Sequence, residues 1–90
     1  MKLAGKSAIV TGAGRDIGAA AAIKLASEGA SVAINYFASS AGADEVVAKI
    51  KENGGAAFAL QGDLTQQDNV DALVNKTVAE FGAIDVLVNN

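Results

Sequence analysis

The stretch TGAGRDIG, residues 11–18, decides the fold, because its three glycines separate an apolar run from a run rich in alanine. The apolar run, residues 7–10, predicts a buried strand, and the alanine-rich run over about 17–28 predicts a helix. Gly12 and Gly14 permit a tight turn and a close backbone approach to a ligand. The unpaired N–H groups and the positive dipole end of the helix favour a pyrophosphate here. A plain strand-to-helix turn without a ligand is the alternative interpretation.

Outward from this turn, three more apolar runs predict buried strands at residues 31–35, 57–61 and 86–89. A single helical stretch separates each strand from the next, and strands connected in this way run parallel with right-handed crossovers. The predicted fold class is therefore α/β, a Rossmann-type doubly wound parallel sheet. This chain supplies its first half, with strand order 3-2-1-4.

The second and third helices are predicted from apolar residues that recur at helical spacing. Thr65 and Asp68 resemble a capping box at the start of the third helix, and Gly82 predicts its end. The second helix is expected to end in Asn53-Gly54-Gly55. The apolar faces comprise Ala43, Val46, Val47 and Ile50 in the second helix, and Val70, Leu73, Val74, Thr77, Val78 and Phe81 in the third.

Composition narrows the classes of function. The 90 residues are 51% hydrophobic, with 10 glycines and no proline, which is typical of buried parallel strands rather than of disorder. The net charge of -3 and the lack of a Lys/Arg cluster argue against a nucleic-acid partner. Without cysteine or histidine, these residues offer no disulfide, no thiolate nucleophile and no His- or Cys-based metal site. No apolar run approaches the roughly 20 residues of a membrane span, and a lysine interrupts the amino-terminal apolar run, so a cytoplasmic location is expected.

Three segments together resemble the short-chain dehydrogenase/reductase family. Residues 11–18 are similar to its T-G-x-x-x-G-x-G cofactor motif, and Gly62-Asp63-Leu64-Thr65 to the aspartate and aliphatic pair that contacts adenine. Residues 85–90 resemble the opening of its N-N-A-G strand. The motifs follow the family's order across essentially the whole chain, which is similar to 3-oxoacyl-ACP reductase-like members. The resemblance implies that residues 1–90 are an NAD(P)-binding Rossmann domain, truncated from a longer single-domain enzyme.

The resemblance also implies a set of cofactor contacts, with one departure from the family pattern. Asp16 stands where the family usually has its second glycine. Its carboxylate either caps the first helix or pairs with Arg15, or it repels the pyrophosphate, and the capping role is the one we favour. The implied cofactor-binding residues are Gly12, Ala13, Gly14, Arg15, Ile17, Gly18, Asn35, Tyr36, Ser39, Asp63, Leu64 and Asn90.

The end of the second strand bears on the choice between NADP and NAD. An acid there would hold the ribose 2'-hydroxyl of NAD, but no acidic residue occurs between Gly29 and Gly42. The sequence Asn-Tyr followed by serine, with Arg15 in the glycine turn, is similar to NADP-using members of the family. NADP is therefore the expected cofactor and NAD the second choice. Alternatively, Tyr36 packs beside adenine and Ser39 or Ser40 caps the second helix.

The activity that the resemblance implies is hydride transfer between NADP(H) and a ketone or secondary alcohol, such as a 3-oxoacyl thioester, a sugar or a steroid-like compound. The family's proton donor is a tyrosine in Y-x-x-x-K, and Tyr36 does not fit because Ser40 stands four residues later. No catalytic residue is therefore expected within residues 1–90, and the intact protein is expected to be a homo-oligomer, a tetramer or a dimer. A non-catalytic NAD(P)-binding sensor or scaffold is the alternative function, and a methyltransferase is less favoured.

Overall fold

The structure, a computed structural model, describes residues 2–12, 16–38 and 40–89 of the chain. Of Asp16 it describes the backbone but not the side chain, so the predicted capping role of that carboxylate lies outside the described part. Among the predicted cofactor contacts, those outside the described residues are Ala13, Gly14, Arg15, Ser39 and Asn90.

The described residues form a parallel sheet whose strands alternate with helices, as predicted. The strand order is β3-β2-β1-β4, which confirms the expected first half of a doubly wound sheet. The strands differ from their predicted bounds by a residue at most, since the first two run one residue further and the last is one residue shorter. The elements are β1 (Ser7–Thr11), α1 (Asp16–Ser27), β2 (Ser31–Tyr36), α2 (Ser40–Glu52), β3 (Ala57–Gln61), α3 (Gln67–Phe81) and β4 (Val86–Val88).

The helices cover opposite faces of the sheet because side chains along a strand alternate between its two faces. On one face, Val10, Val32 and Ile34 pack against alanines and aliphatic residues of α1 and α2. On the other face, Ile9 and Ala33 pack against α3. The first cluster is the larger and contains fully buried strand residues, each of which stabilises the fold by about 1.5–3 kcal/mol relative to an exposed position.

The first two helices follow their predicted patterns. In α2 the buried residues are Ala43, Val46 and Ile50, with Val47 partly buried beside them. After α1, Gly29 adopts φ 100°, a left-handed conformation that favours glycine, and the chain then enters β2. None of the helices in the described part of the chain combines the length and the apolar character needed to cross a membrane.

The amino terminus of α3 differs from the prediction. The helix begins at Gln67 with Gln66 as its N-cap residue, and no side chain caps it. The predicted capping box of Thr65 and Asp68 is wrong, because Thr65 is not the N-cap residue and its N–H and hydroxyl both donate to the Asp63 carboxylate, at 2.9 and 2.7 Å. The predicted end is confirmed: Gly82 is left-handed with φ 88°, and its N–H donates to the Val78 carbonyl at 2.8 Å.

The apolar face of α3 is only partly covered. Leu73 and Thr77 are buried against the sheet, whereas Val74 and Val78, which belong to the same predicted apolar face, are 38% and 44% exposed. Val74 lines an open apolar depression of about 540 Å³ between α3 and β4, which we call the α3 groove. Its lining includes Ile9, Val70, Leu73, Val74, Ile84 and Leu87.

Candidate functional site

The carboxyl ends of the parallel strands meet at one edge of the sheet, and the residues that follow them enclose a cleft. Its volume is about 260 Å³, and we call it the strand-end cleft. Open α/β sheets bind ligands at this edge, where the strand order reverses on either side of the first strand. The lining residues are Thr11, Gly12, Asn35, Phe37, Gly62, Asp63, Leu64 and Asn89.

The glycine turn lies at one end of the strand-end cleft. Gly12 leaves β1 with φ 65°, a conformation that glycine adopts without steric cost and other residues rarely do. Because α1 begins at Asp16, the N–H groups of its first turn belong to this same edge of the sheet. In that turn Ile17 is 76% exposed, while Gly18 is buried, as close packing of helix on sheet requires.

Thr11 connects the ends of β1 and β4. Its Oγ1 lies 3.1 Å from Oδ1 of Asn89 and 3.4 Å from the carbonyl oxygen of Val88, both of which are acceptors for its proton. The parallel register, in which Val10 pairs with Val88, explains why the residues that follow them meet. Asn89 is thereby oriented at the rim of the cleft.

Asn35 and Tyr36, both predicted cofactor contacts, hold the loop that follows β3. The Asn35 side chain is buried, and its Nδ2 donates to the Gly62 carbonyl at 3.1 Å and to the Leu60 carbonyl at 3.4 Å. The Gly62 N–H in turn donates to the Tyr36 carbonyl at 3.0 Å, and the Tyr36 side chain packs against the larger core cluster. Direct contact of Asn35 and Tyr36 with a cofactor stays a prediction, but their placement of the Gly62 loop is a structural role.

Asp63 presents a carboxylate in a fixed loop. Its Oδ1 accepts hydrogen bonds from the Thr65 hydroxyl at 2.7 Å and from the Thr65 N–H at 2.9 Å, which together hold the pKa of Asp63 below its ordinary value. The Asp63 carbonyl also accepts from Nδ2 of Asn69 at 3.0 Å. At neutral pH this side chain is therefore ionised and acts only as an acceptor.

The structure brings four of the predicted contacts into the strand-end cleft, namely Gly12, Asn35, Asp63 and Leu64. Sequence reasoning missed Phe37 and Asn89 as lining residues and gave no role to Thr11. The position of these three residues could have indicated that they line the site, because each stands at or directly beyond the end of a strand in a sheet predicted to be parallel.

The α3 groove is larger than the strand-end cleft, but its lining is mostly aliphatic. The two cavities share Thr11, Asp63, Leu64 and Asn89, all at the carboxyl edge of the sheet. Ligand sites combine an apolar wall with a few convergent polar groups. The strand-end cleft has that combination together with the glycine turn, and it is therefore the candidate site.

Comparison with known proteins is consistent with this geometry. The family model for short chain dehydrogenases matches residues 6–90. A hydroxynaphthalene reductase of Aspergillus fumigatus is 49% identical over 90 residues, which are 100% of this chain and 33% of the relative. A 3-oxoacyl-acyl-carrier-protein reductase of Staphylococcus aureus is 48% identical over 85 residues, 94% of this chain and 35% of the relative. The chain thus spans about a third of the length of the curated relatives it matches.

Among solved structures, a short chain dehydrogenase of Burkholderia cenocepacia in complex with NADP superposes with a TM-score of 0.95 at 46% identity. The match covers 100% of this chain and 37% of that protein. It includes every described strand and helix, so the two proteins share the backbone fold over this chain.

Proposed function

Because this chain belongs to the short-chain dehydrogenase family, we propose that it supplies the cofactor site of an oxidoreductase that transfers hydride between NADP(H) and a ketone or secondary alcohol. The observation that carries the proposal is the strand-end cleft: a left-handed glycine at the exit of β1 faces a fixed carboxylate loop after β3. Residues 1–90 would form the nucleotide-binding part, and the intact protein would be a cytoplasmic homo-oligomer.

The glycine turn suits a pyrophosphate. With no side chain at Gly12, a phosphate can approach the backbone where β1 ends, and the N–H groups at the start of α1 supply donors and a favourable dipole. Buried Gly18 lets α1 lie close to the sheet, which keeps its amino terminus at the cleft. Ala13 and Gly14 would complete this phosphate contact, with Ile17 beside it.

The loop after β3 suits an adenine edge. The ionised Asp63 carboxylate can accept a hydrogen bond from the exocyclic amino group, and the Leu64 N–H can donate to a ring nitrogen. The hydrogen bonds to Asp63 from Thr65 and Asn69 fix the loop before a ligand arrives, so little ordering accompanies binding. Asn89, and Asn90 after it, would lie on the nicotinamide side.

The end of β2 favours NADP over NAD. The 2'-hydroxyl of NAD is usually held by an acid at this place, and residues 29–42 contain none. A 2'-phosphate would instead find the predicted contacts Arg15, Tyr36 and Ser39, which offer a cation and hydroxyl donors. That the Burkholderia relative is found with NADP supports this preference.

When bound, NADPH would supply the hydride for carbonyl reduction and NADP⁺ would accept it in alcohol oxidation, and this chain's residues would bind and orient the cofactor. Reduction of a carbonyl also needs a proton donor, and Tyr36 does not match the family's Y-x-x-x-K donor because Ser40 stands four residues after it. The 3-oxoacyl reductase and hydroxynaphthalene reductase names of two relatives agree with a carbonyl substrate.

Titration calorimetry with NADP and with NAD tests the proposal. We expect NADP to bind at least about tenfold more tightly, since hydrogen bonds to a charged group contribute about 1.5–3 kcal/mol each. Arg15→Ala should weaken NADP binding by about tenfold and leave NAD binding unchanged, because only NADP carries the 2'-phosphate. Tighter binding of NAD than of NADP would overturn the cofactor preference. The absence of binding of either dinucleotide would overturn the proposed function.

A further inference from the structure

Phe37 is a large apolar residue that belongs to neither core cluster. It follows β2 directly and is 66% exposed. The other two phenylalanines, Phe58 and Phe81, pack against each other with ring centroids 5.4 Å apart and join the cluster beneath α3. Phe37 instead borders the strand-end cleft.

The backbone around Phe37 is held in place. The Gln61 side chain donates from Nε2 to the Phe37 carbonyl at 3.0 Å, and the Gly62 N–H donates to the Tyr36 carbonyl at the same distance. Asn35 adds its hydrogen bond to the Gly62 carbonyl. Phe37 is therefore fixed relative to the Gly62-Asp63-Leu64 loop, and its ring and that loop belong to the same cleft.

We infer that Phe37 is the stacking wall of the adenine site, where its ring lies against the flat face of the base while Asp63 and Leu64 contact the base edge. The inference rests on the proposed function. A purine needs an apolar or aromatic surface against its face as well as hydrogen bonds at its edge, and aromatic side chains stack on any base. The Phe37 ring is exposed without a ligand and would be buried against the base, and this burial of apolar surface favours binding.

Stacking by Phe37 has a specific signature. The contribution belongs to the adenine half of the cofactor, so it is shared by NADP, NAD and adenosine 2',5'-bisphosphate. It is absent from nicotinamide mononucleotide, which carries no purine. Because phenylalanine has no polar group, Phe37 should set the affinity for the base and leave the choice between NADP and NAD to Arg15, Tyr36 and Ser39.

The test is titration calorimetry of the chain and three Phe37 variants with NADP, adenosine 2',5'-bisphosphate and nicotinamide mononucleotide. Phe37→Ala should weaken binding of the two purine ligands by about tenfold and leave nicotinamide mononucleotide unchanged. Phe37→Tyr keeps the ring and should bind within about twofold of the unsubstituted chain, whereas Phe37→Leu keeps apolar volume without a ring and should resemble Phe37→Ala.

The outcomes separate this inference from the function on which it rests. If the unsubstituted chain binds neither NADP nor NAD, the proposed function fails. If it binds NADP but Phe37→Ala binds equally well, the stacking role alone is overturned. Equal weakening of all three ligands by Phe37→Ala, or equal affinities of the Phe37→Leu and Phe37→Tyr variants for the purine ligands, also contradicts stacking.

Discussion

Polar side chains join the strand ends to one another at the candidate site. Thr11 contacts Asn89 across β1 and β4, Asn35 contacts the Gly62 carbonyl across β2 and β3, and Thr65 holds the Asp63 carboxylate. The first two contacts satisfy partly buried polar groups at the sheet edge, whereas the third lies between exposed groups. A few short hydrogen bonds thus shape the cleft before any ligand binds.

At this scale, the first prediction concerns the pKa of Asp63, which the hydrogen bonds from Thr65 lower from its ordinary value of 3.8. Thr65→Val removes the hydroxyl donor and should raise the Asp63 pKa, whereas Thr65→Ser keeps the donor and should leave it low. The measurement is a carboxyl-carbon NMR titration. Equal Asp63 titration midpoints in the Thr65→Val and Thr65→Ser variants would show that the Thr65 hydroxyl does not lower the Asp63 pKa.

The same hydrogen bonds set the sign of a stability change with pH. Because the pKa of Asp63 is lower in the folded chain than in the unfolded chain, its ionised form stabilises the fold at pH values above the unfolded pKa. That contribution is lost as the pH falls through the folded pKa. The loss should be smaller in Thr65→Val than in Thr65→Ser when unfolding by urea is followed across the acid range.

A second residue-scale prediction concerns Asp16, the first residue of α1. Asp16→Gly should leave the affinity for NADP within about fivefold, because a charge near an exposed helix start contributes about 0.3–1 kcal/mol. Titration calorimetry against the unsubstituted chain measures the change. A gain of about a hundredfold, some 2.7 kcal/mol, would show that the carboxylate repels the pyrophosphate.

At the scale of helices and strands, the sequence pattern predicted the type and order of all the elements in the described residues. Short apolar runs predicted each strand to within one residue of its observed bounds, and apolar faces at helical spacing predicted the second and third helices. The right-handed crossover rule gave the strand order. The start of α3 was mispredicted because Thr65 has two acidic neighbours at hydrogen-bonding separation, Asp63 and Asp68. Only the folded geometry shows that Asp63 accepts from both the N–H and the hydroxyl of Thr65. The placement of Phe37 depends likewise on three contacts between distant segments.

The left-handed end of α3 gives an element-scale prediction. Nothing lies within 4 Å of a Cβ added at Gly82, so the cost of a substitution there comes from its φ of 88° alone. Gly82→Ala should lower the free energy of unfolding by about 1 kcal/mol, and Gly82→Asn by less, because asparagine tolerates this conformation better. Urea denaturation measures both. An unchanged free energy of unfolding in the alanine variant would contradict the claim that the left-handed conformation at residue 82 is costly for alanine.

At the scale of the whole molecule, the family was predicted from three short motifs, and the match to the short chain dehydrogenase model confirms it. The α3 groove could not be predicted, because the helical pattern of Val74 and Val78 does not reveal which apolar residues the sheet reaches. Leu87, 65% exposed beside Ile9 in the sheet register, belongs to the same open surface.

The exposed groove gives a prediction about the molecular surface. Leu87→Thr should change the free energy of unfolding by less than about 0.5 kcal/mol and reduce the binding of a hydrophobic dye, because Leu87 already contacts water. As a control, Ile34→Ala in the fully buried core should cost about 2–5 kcal/mol. Comparable losses in the two variants would show that Leu87 is covered.

The most direct test of nucleotide binding at the strand-end cleft is an NMR titration of the backbone amides with NADP. The largest shift changes should occur at Gly12, at residues 62–64 and at Asn89, while Gly29 and Gly54 at the far ends of the helices stay unchanged. Changes confined to residues that line the α3 groove alone, such as Val74, Ile84 and Leu87, or no changes at all with saturating NADP, would contradict nucleotide binding at the strand-end cleft.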